Sequence, residues 1–156
     1  MKKLILIGLL FAGACRSHTV ETPAPAPSPG RSAATGSNQP GADSPRLAVD
    51  AFLRAVRDKD LQALSSVWGN KDGPVRSSKT MTRDEVEQRE IYLIRCLRND
   101  SHRVLGDSPA AGGERVLQVE LTSGTSRSTM DFFTAQGGDR WYVRSANIDQ
   151  KRCAAK

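Results

Sequence analysis

The side chains that could perform nucleophilic or acid–base chemistry in this chain are few and widely spaced. A Ser-His-Asp triad would require His102, because the other histidine, His18, lies in a segment rich in Pro and Ala, and the sequence has no Gly-x-Ser-x-Gly motif. Cys96 and Cys153 lack the Cys-x-x-Cys spacing of a redox-active pair. Together with His102 they do not make a recognisable zinc-binding set. The residue types therefore predict neither a cofactor nor a metal site.

Residues 1–15 have the pattern of a secretion signal. Two lysines precede an apolar run over residues 4–11, and three small residues then lead to Cys15. An apolar run this short is typical of a cleaved signal peptide and not of a membrane-spanning helix. Because its cysteine stands directly after small residues, the segment resembles the signal of bacterial lipoproteins. The resemblance implies that residues 1–14 are removed and that Cys15 is lipidated.

A lipid anchor predicts where the protein is located. Two or three acyl chains hold a protein stably on a membrane, so the mature chain is expected to be tied to the cell envelope. Arg16, and not an Asp, follows the cysteine, and in the resembling lipoproteins this favours the outer membrane. The alternative is an ordinary signal peptide in which the cysteine is coincidental.

Export also predicts the state of the other two cysteines. An even number of cysteines in an oxidising compartment is expected to pair. With Cys15 lipidated, Cys96 and Cys153 are the cysteines that remain. We therefore expect a disulfide between them, which would hold the polar C-terminal residues against the end of a predicted helix.

The composition divides the rest of the chain into a tether and a domain. Residues 15–45 are rich in Pro, Ala, Ser and Gly, and such a segment buries too little apolar surface to fold. Alternating Pro and Ala favours an extended chain. We predict a lipidated cysteine with a disordered tether over 15–45 and a single domain over 46–156. The tether is expected to add nothing to the stability of the domain, and a ligand for a proline-binding partner is its alternative role.

The charge of the chain bears on its partners. Lys and Arg number 23 against 17 Asp and Glu, which gives a formal net charge of +6. The basic residues are scattered among acidic ones, whereas a nucleic-acid-binding surface needs a clustered basic face. We therefore predict no nucleic-acid partner and a slight preference for anionic envelope surfaces.

Capping patterns predict three helices in the first half of the domain. Ser44-Pro45 is typical of a helix start, with Ser as N-cap and Pro at the first helical position. Asp60 can cap a second, short helix. Thr82 and Glu85 have the spacing of a capping box, which opens a third helix over about residues 83–98.

After residue 100 the pattern changes from helical spacing toward alternation. Leu117, Val119 and Leu121 alternate with polar residues, and short Gly-containing turns separate this strand from two more. A short strand near His102 comes before them. In the last two strands aromatic residues are adjacent, as Phe132-Phe133 and as Trp141-Tyr142. Alternation therefore does not decide which residue of each pair faces inward. Helices followed by antiparallel strands predict an α+β fold, with three N-terminal helices packed on a sheet of about four strands.

Two segments of the domain carry a resemblance to a known superfamily. The helix over residues 48–56, followed by Asp58-Lys59-Asp60, is similar to the opening of nuclear transport factor two-like domains. The strand over residues 140–143, after a Gly-Gly turn, is also typical of them. The superfamily includes SnoaL-like polyketide cyclases and ketosteroid isomerase and has a cystatin-like sheet. The resemblance therefore implies a curved, cone-like sheet over about residues 46–150.

The resemblance also implies where a pocket would lie. Enzymes of this superfamily place a carboxylate and a Tyr or His in a cavity between the helices and the sheet. Residues of suitable kind here are Asp131, Asp149, Tyr92 and Trp68, but none of them matches a catalytic position of the family, and no catalytic residue is assigned. The residues expected to line such a pocket are Trp68, Tyr92, Leu93, Phe132 and Trp141.

Two classes of function remain open from the sequence. The first is a non-catalytic binding or scaffolding domain, whose partner would be an envelope protein, peptidoglycan or a small apolar ligand. The alternative is a small pocket enzyme of cyclase, isomerase or hydratase type. A carboxylate facing a closed pocket between helices and sheet would favour the enzyme. A space filled by apolar side chains would favour binding or scaffolding.

Overall fold

The structure, a computed structural model, describes residues 39–154. The predicted signal peptide, Cys15 and the tether up to residue 38 lie outside the described residues. Three helices come first: α1 (Pro45–Asp58), α2 (Leu61–Val67) and α3 (Arg83–Cys96). They precede the main sheet as expected, but they lie at residues 45–96 and not at the N-terminus of the chain. Over residues 39–154, no helix combines the length and apolar character that crossing a bilayer requires.

The strands form one small and one larger antiparallel sheet. Between α2 and α3, β1 (Gly69–Asn70) pairs with β2 (Gly73–Pro74). The larger sheet contains β3 (Ser101–Pro109), β4 (Arg115–Ser123), β5 (Ser126–Gly137) and β6 (Arg140–Ala146). Its spatial order is β3-β4-β5-β6, so the strands follow one another as a meander. A short helix, α4 (Gln150–Ala154), follows the sheet. The α+β class with a four-stranded antiparallel sheet is confirmed.

The helix starts are those that the capping patterns predicted. The Asp60 carboxylate accepts a hydrogen bond from the Ala63 amide at 2.9 Å, at the start of α2. The Thr82 amide donates to Glu85 Oε2 at 2.7 Å, and the Thr82 hydroxyl accepts from the Glu85 amide at 3.3 Å. Each of these bonds satisfies a backbone amide that the helix itself leaves without a partner.

The core lies between the helices and one face of the sheet. Leu117, Val119 and Leu121 of β4 are all 0 % exposed, as their alternation predicted. At the centre, the rings of Phe52 from α1 and Phe132 from β5 meet edge to face with centroids 6.2 Å apart. Burial of such aromatic and aliphatic side chains is the main source of stability in a domain of this size.

The structure resolves which residue of the Phe132-Phe133 pair faces the core. Phe132 is 0 % exposed, whereas Phe133 is half-buried and lies under the Arg144 guanidinium, 5.7 Å from its ring centroid. The pairing of β5 with β6 shifts register between Phe133 and Thr134. Because of this irregularity, Thr134 and Ala135 are both buried. A register shift of this kind breaks the strict alternation from which the inward face is read.

The folded unit begins before α1. Ala42 is 8 % exposed and exchanges two backbone hydrogen bonds with Trp141, of 2.9 and 2.8 Å. The Arg140 guanidinium donates to the Gly41 carbonyl at 2.8 Å and forms an ion pair with Asp43. The last residues of the segment predicted as a tether therefore contact the edge of β6.

Candidate functional site

An open cavity of about 460 Å³ lies where the end of α3 meets α4. Four of its seven lining residues are cationic, and two of the others are serines. This surface is called the basic cleft here, and its lining residues are Arg95, Cys96, Arg98, Ser123, Ser126, Lys151 and Arg152. A concave surface with converging positive charges attracts anions and concentrates them locally.

Three segments that are distant in sequence build the cleft: the end of α3, the turn between β4 and β5, and α4. Asp100 Oδ2 accepts a hydrogen bond of 2.6 Å from the Gly124 amide, which fixes the turn. Asp149 Oδ1 accepts from the Lys151 amide at 3.0 Å, at the start of α4. These two carboxylates are close to the cleft, but the four cations outnumber them, so the local charge stays positive.

Cys96 and Cys153 join two of these segments. Their Cα atoms are 4.2 Å apart, and the structure places them at disulfide distance. Cys96 is 1 % exposed, and the Tyr92 hydroxyl lies 3.3 Å from Cys153 Sγ. The pair expected from the sequence is therefore brought together, and a covalent bond there fixes α4 to the end of α3.

Arg152 also holds α4 on α3. Its Nε donates to the Cys96 carbonyl at 3.3 Å and its Nη2 to the Arg98 carbonyl at 2.9 Å, while Nη1 donates to the Ser128 hydroxyl. The last carbonyls of a helix have no partner within the helix and carry a partial negative charge. Arg152 therefore caps the end of α3, and its charge is fixed at the wall of the cleft.

The other three cations of the cleft, Arg95, Arg98 and Lys151, are exposed, and two of them are carried by helices. Arg95, in the last turn of α3, places its guanidinium over the Tyr92 ring, 5.9 Å from the centroid. This cation–π contact restricts the directions that the Arg95 side chain can take. Lys151 is exposed on α4. These two residues present their charges to a solute that enters the cleft.

Of the five residues predicted to line a pocket between helices and sheet, four lie in the core or against it and one lies at the surface. Trp68 and Phe132 belong to the core, and Leu93 and Trp141 are half-buried and pack against it. Tyr92 is 41 % exposed and lies beside the disulfide. The core therefore takes up the apolar members of this set, and Tyr92 faces outward near the basic cleft.

The polar residues considered from the sequence are also separated. Asp131 is half-buried on β5, opposite Gln118, whereas Asp149 is exposed at the start of α4. His102 on β3 contacts Asp50 on α1, with 2.9 Å between Nε2 and Oδ1. This pair connects the first strand of the main sheet to the first helix. No two of Asp131, Asp149 and His102 share a hydrogen bond among the described contacts.

Sequence reasoning did not single out Glu90, the most deeply buried acidic residue that the structure describes. The structure places Glu90 on the inner face of α3 with 0 % exposure. Its Oε2 accepts from Arg76 Nη2 at 3.1 Å, and its Oε1 has no hydrogen-bond partner among the described atoms. Burial raises the pKa of the Glu90 carboxyl, and the nearby Arg76 guanidinium opposes this shift.

Comparisons with known proteins add no relatives: no protein family, no curated protein and no solved structure matches the chain. The resemblances to lipoprotein signals and to nuclear transport factor two-like domains therefore stay predictions. Within residues 39–154, no group of three or more His, Cys, Asp or Glu residues is arranged to hold a metal ion. The basic cleft is the site that the geometry itself supports.

Proposed function

We propose that this chain is a lipid-anchored protein of the cell envelope whose domain binds an anionic ligand without catalysis. The observation that carries the binding function is the basic cleft, in which four cations from α3, α4 and the residues between them line one cavity. The anchor rests on residues 1–15, and the outer membrane is the location that Arg16 favours. The curved, cone-like sheet implied by the superfamily resemblance is the finer fold that we propose with it.

The packing of the interior favours binding over catalysis. In the resembling enzymes the catalytic cavity lies between the helices and the sheet. In this chain Phe52 and Phe132 meet at that place and are 1 % and 0 % exposed. A filled interior directs ligand binding to the surface, where the basic cleft lies.

Glu90 is the observation that favours the alternative, a small pocket enzyme of cyclase, isomerase or hydratase type. An interior carboxyl with a raised pKa is a frequent property of catalytic acids and bases. However, structural ion pairs perturb pKa values in the same way, and the fully buried Glu90 is paired with Arg76. The pair therefore has a sufficient structural role.

The positive charge of the cleft favours some of the partners considered from the sequence over others. A cavity lined mainly by arginine, lysine and serine side chains is a poor site for a small apolar ligand, because cations lose hydration without a compensating contact. Peptidoglycan and acidic envelope proteins carry carboxylates that would replace this hydration. We propose an anionic envelope component as the ligand.

Labelling with a radioactive fatty acid in a bacterial host tests the anchor. Cys15→Ser should remove the label and leave the signal peptide uncleaved, whereas Cys153→Ser, the matched control, should keep both label and cleavage. A Cys15→Ser protein that still incorporates the fatty acid would show that residues 12–15 are not a lipidation signal.

Sedimentation with peptidoglycan and with anionic lipid vesicles tests the binding function. The chain over residues 16–156, made without signal peptide or lipid and oxidised so that Cys96 and Cys153 can pair, should co-sediment with at least one of them at low salt. It should be released at high salt, because salt screens exposed charges. Release by salt distinguishes this binding from apolar capture, which salt does not weaken. A protein that stays in the supernatant with both partners at low salt would refute the proposed function.

A further inference from the structure

We propose that the basic cleft is a phosphate site, which binds the phosphate group of a larger ligand through Arg95 and Lys151. This inference rests on the proposed function, since it names the chemical class of the anion that the domain binds. It goes further because it distinguishes phosphate from carboxylate and assigns the contacts to two residues.

The number of cations in the cleft matches a phosphate better than a carboxylate. A phosphate monoester carries about 1.5 to 2 negative charges at pH 7, whereas a carboxylate carries one. Four cationic residues line the cleft, and the carboxylates of Asp100 and Asp149 nearby offset part of their charge. A ligand with a single charge would leave a larger positive excess than a phosphate monoester would.

The donors in the cleft have the chemistry that phosphate oxygens require. A guanidinium offers a rigid set of N–H groups that fits the oxygens of a phosphate, and an ammonium acts as a compact point charge beside it. Arg95 supplies the first and Lys151 the second. The hydroxyls of Ser123 and Ser126, on the turn between β4 and β5, line the same cavity and add donors of a third kind.

The cleft is partly preorganised before a ligand arrives. The Tyr92 ring restricts Arg95, with 5.9 Å from the guanidinium carbon to the centroid. Lys151 is carried by α4, which the disulfide and the three hydrogen bonds of Arg152 hold on α3. Fewer side-chain motions have to be frozen on binding when the groups are already held in place.

The size of the cleft indicates that the phosphate belongs to a larger molecule. Its volume of about 460 Å³ lies in the range of about 300–1,000 Å³ that is usual for small-molecule sites. It is far above the about 30 Å³ that one water molecule occupies in the liquid. A phosphorylated sugar or glycerol group, either soluble or as a lipid headgroup, would fill such a volume.

Isothermal titration calorimetry of the unlipidated, oxidised chain over residues 16–156 with inorganic phosphate and with succinate, at matched ionic strength, tests the inference. Phosphate should bind with saturation and more tightly than succinate. In the double variant Arg95→Gln/Lys151→Gln, phosphate affinity should fall at least about tenfold, which corresponds to about 1.4 kcal/mol. The matched control is Arg46→Gln/Arg54→Gln, which removes two exposed arginines of α1 and should leave the affinity unchanged.

The outcomes separate this inference from the proposed function. If succinate binds as tightly as phosphate and the double variant loses both, the phosphate assignment is overturned and the anion-binding function stands. If neither anion binds at low salt and nothing co-sediments, both are overturned. If the control loses as much affinity as the double variant, the net charge and not the cleft governs binding, and the inference is overturned. Thermal unfolding of both variants confirms that each is folded.

Two further titrations identify the source of the phosphate. One uses glycerol 3-phosphate, and the other uses vesicles of phosphatidylcholine with and without phosphatidylglycerol. Both use the unlipidated chain over residues 16–156, which has no acyl chains to insert into a membrane. Vesicle binding that requires phosphatidylglycerol and is lost in the double variant supports a lipid headgroup. Binding of glycerol 3-phosphate alone, lost in the same variant, supports a soluble phosphate compound. Vesicle binding that the double variant retains would overturn the assignment to the cleft.

Discussion

Arg76 and Glu90 form an ion pair whose partners differ in exposure, so their replacement should have unequal effects. The Glu90 side chain is 0 % exposed, whereas that of Arg76 is 34 % exposed. Arg76→Gln leaves a buried carboxylate without its cation, while Glu90→Gln leaves an arginine that water can solvate. We therefore expect Arg76→Gln to destabilise the domain far more than Glu90→Gln.

The magnitudes follow from what each variant leaves behind. Removing one partner of a buried ion pair costs about 3–5 kcal/mol when the other charge stays buried, and this value applies to Arg76→Gln at neutral pH. Glu90→Gln loses a charge-assisted hydrogen bond from Arg76, but it also removes the burial of a charge whose Oε1 lacks a partner. These effects oppose each other, so we expect Glu90→Gln to lie within about 1 kcal/mol of the wild type.

The pH dependence has a definite sign. Burial raises the pKa of Glu90, so the folded state holds this proton more tightly than the unfolded state, in which the value is about 4.3. The resulting stabilisation is fully present below about pH 4.3 and is lost as the pH rises through the folded-state pKa. Without the Arg76 cation, the pKa of Glu90 rises further. The penalty of Arg76→Gln should therefore shrink as the pH falls.

Urea unfolding followed by tryptophan fluorescence measures these differences. The comparison includes the wild type, Arg76→Gln, Glu90→Gln and the exposed control Lys79→Gln. Each is unfolded at neutral pH and at about pH 4.3, the pKa of a glutamate in the unfolded state. The control should match the wild type at both values. Equal destabilisation by Arg76→Gln and Glu90→Gln, or a penalty of Arg76→Gln that does not change with pH, would refute the reasoning.

Three further changes test other parts of the structure. Cys153→Ser should lower the free energy of unfolding by about 2–4 kcal/mol, because the disulfide is lost. It should also weaken phosphate binding, because α4, which carries Lys151, is held less firmly. An unchanged urea midpoint would show that no bond to Cys96 forms. A chain that begins at Ser44 should be less stable by about 1–3 kcal/mol than one that begins at residue 39, since it lacks the two backbone hydrogen bonds of Ala42; equal melting temperatures would contradict this. Thr82→Ala should cost about 0.5–2 kcal/mol in thermal or urea unfolding through loss of the cap, and no loss would show that the capping box is dispensable.

Local patterns in the sequence predicted the elements of this fold well. The starts of α2 and α3 depend on side chains next to the amides that they cap, Asp60 for one and Thr82 with Glu85 for the other. Such contacts span three residues, so spacing alone reveals them. The inward face of β4 follows from strict alternation of its apolar residues for the same reason.

Features that depend on distant residues could not be predicted in this way. The inward side of Phe132 follows from its pairing with the buried Leu117 of β4, and the Glu90 carboxylate is paired with an arginine from the segment before α3. The capping of α3 by Arg152 joins residues 54 and 56 positions apart. The basic cleft likewise forms only when the turn between β4 and β5 and α4 are in place. Its basic residues are scattered in the sequence, so their spacing does not predict the cleft.

The two edges of the main sheet differ in how they are covered, and this has a consequence for self-association. At β6, backbone bridges from Ala42 to Trp141 and from Trp68 to Val143 occupy part of the edge. The β3 edge is interrupted by a register shift between Val104 and Gly106 and ends at Pro109. A strand from another chain can extend a sheet only along a regular edge with free backbone groups. Two copies of the domain that meet at high concentration therefore find few regular stretches of sheet edge along which their strands could pair.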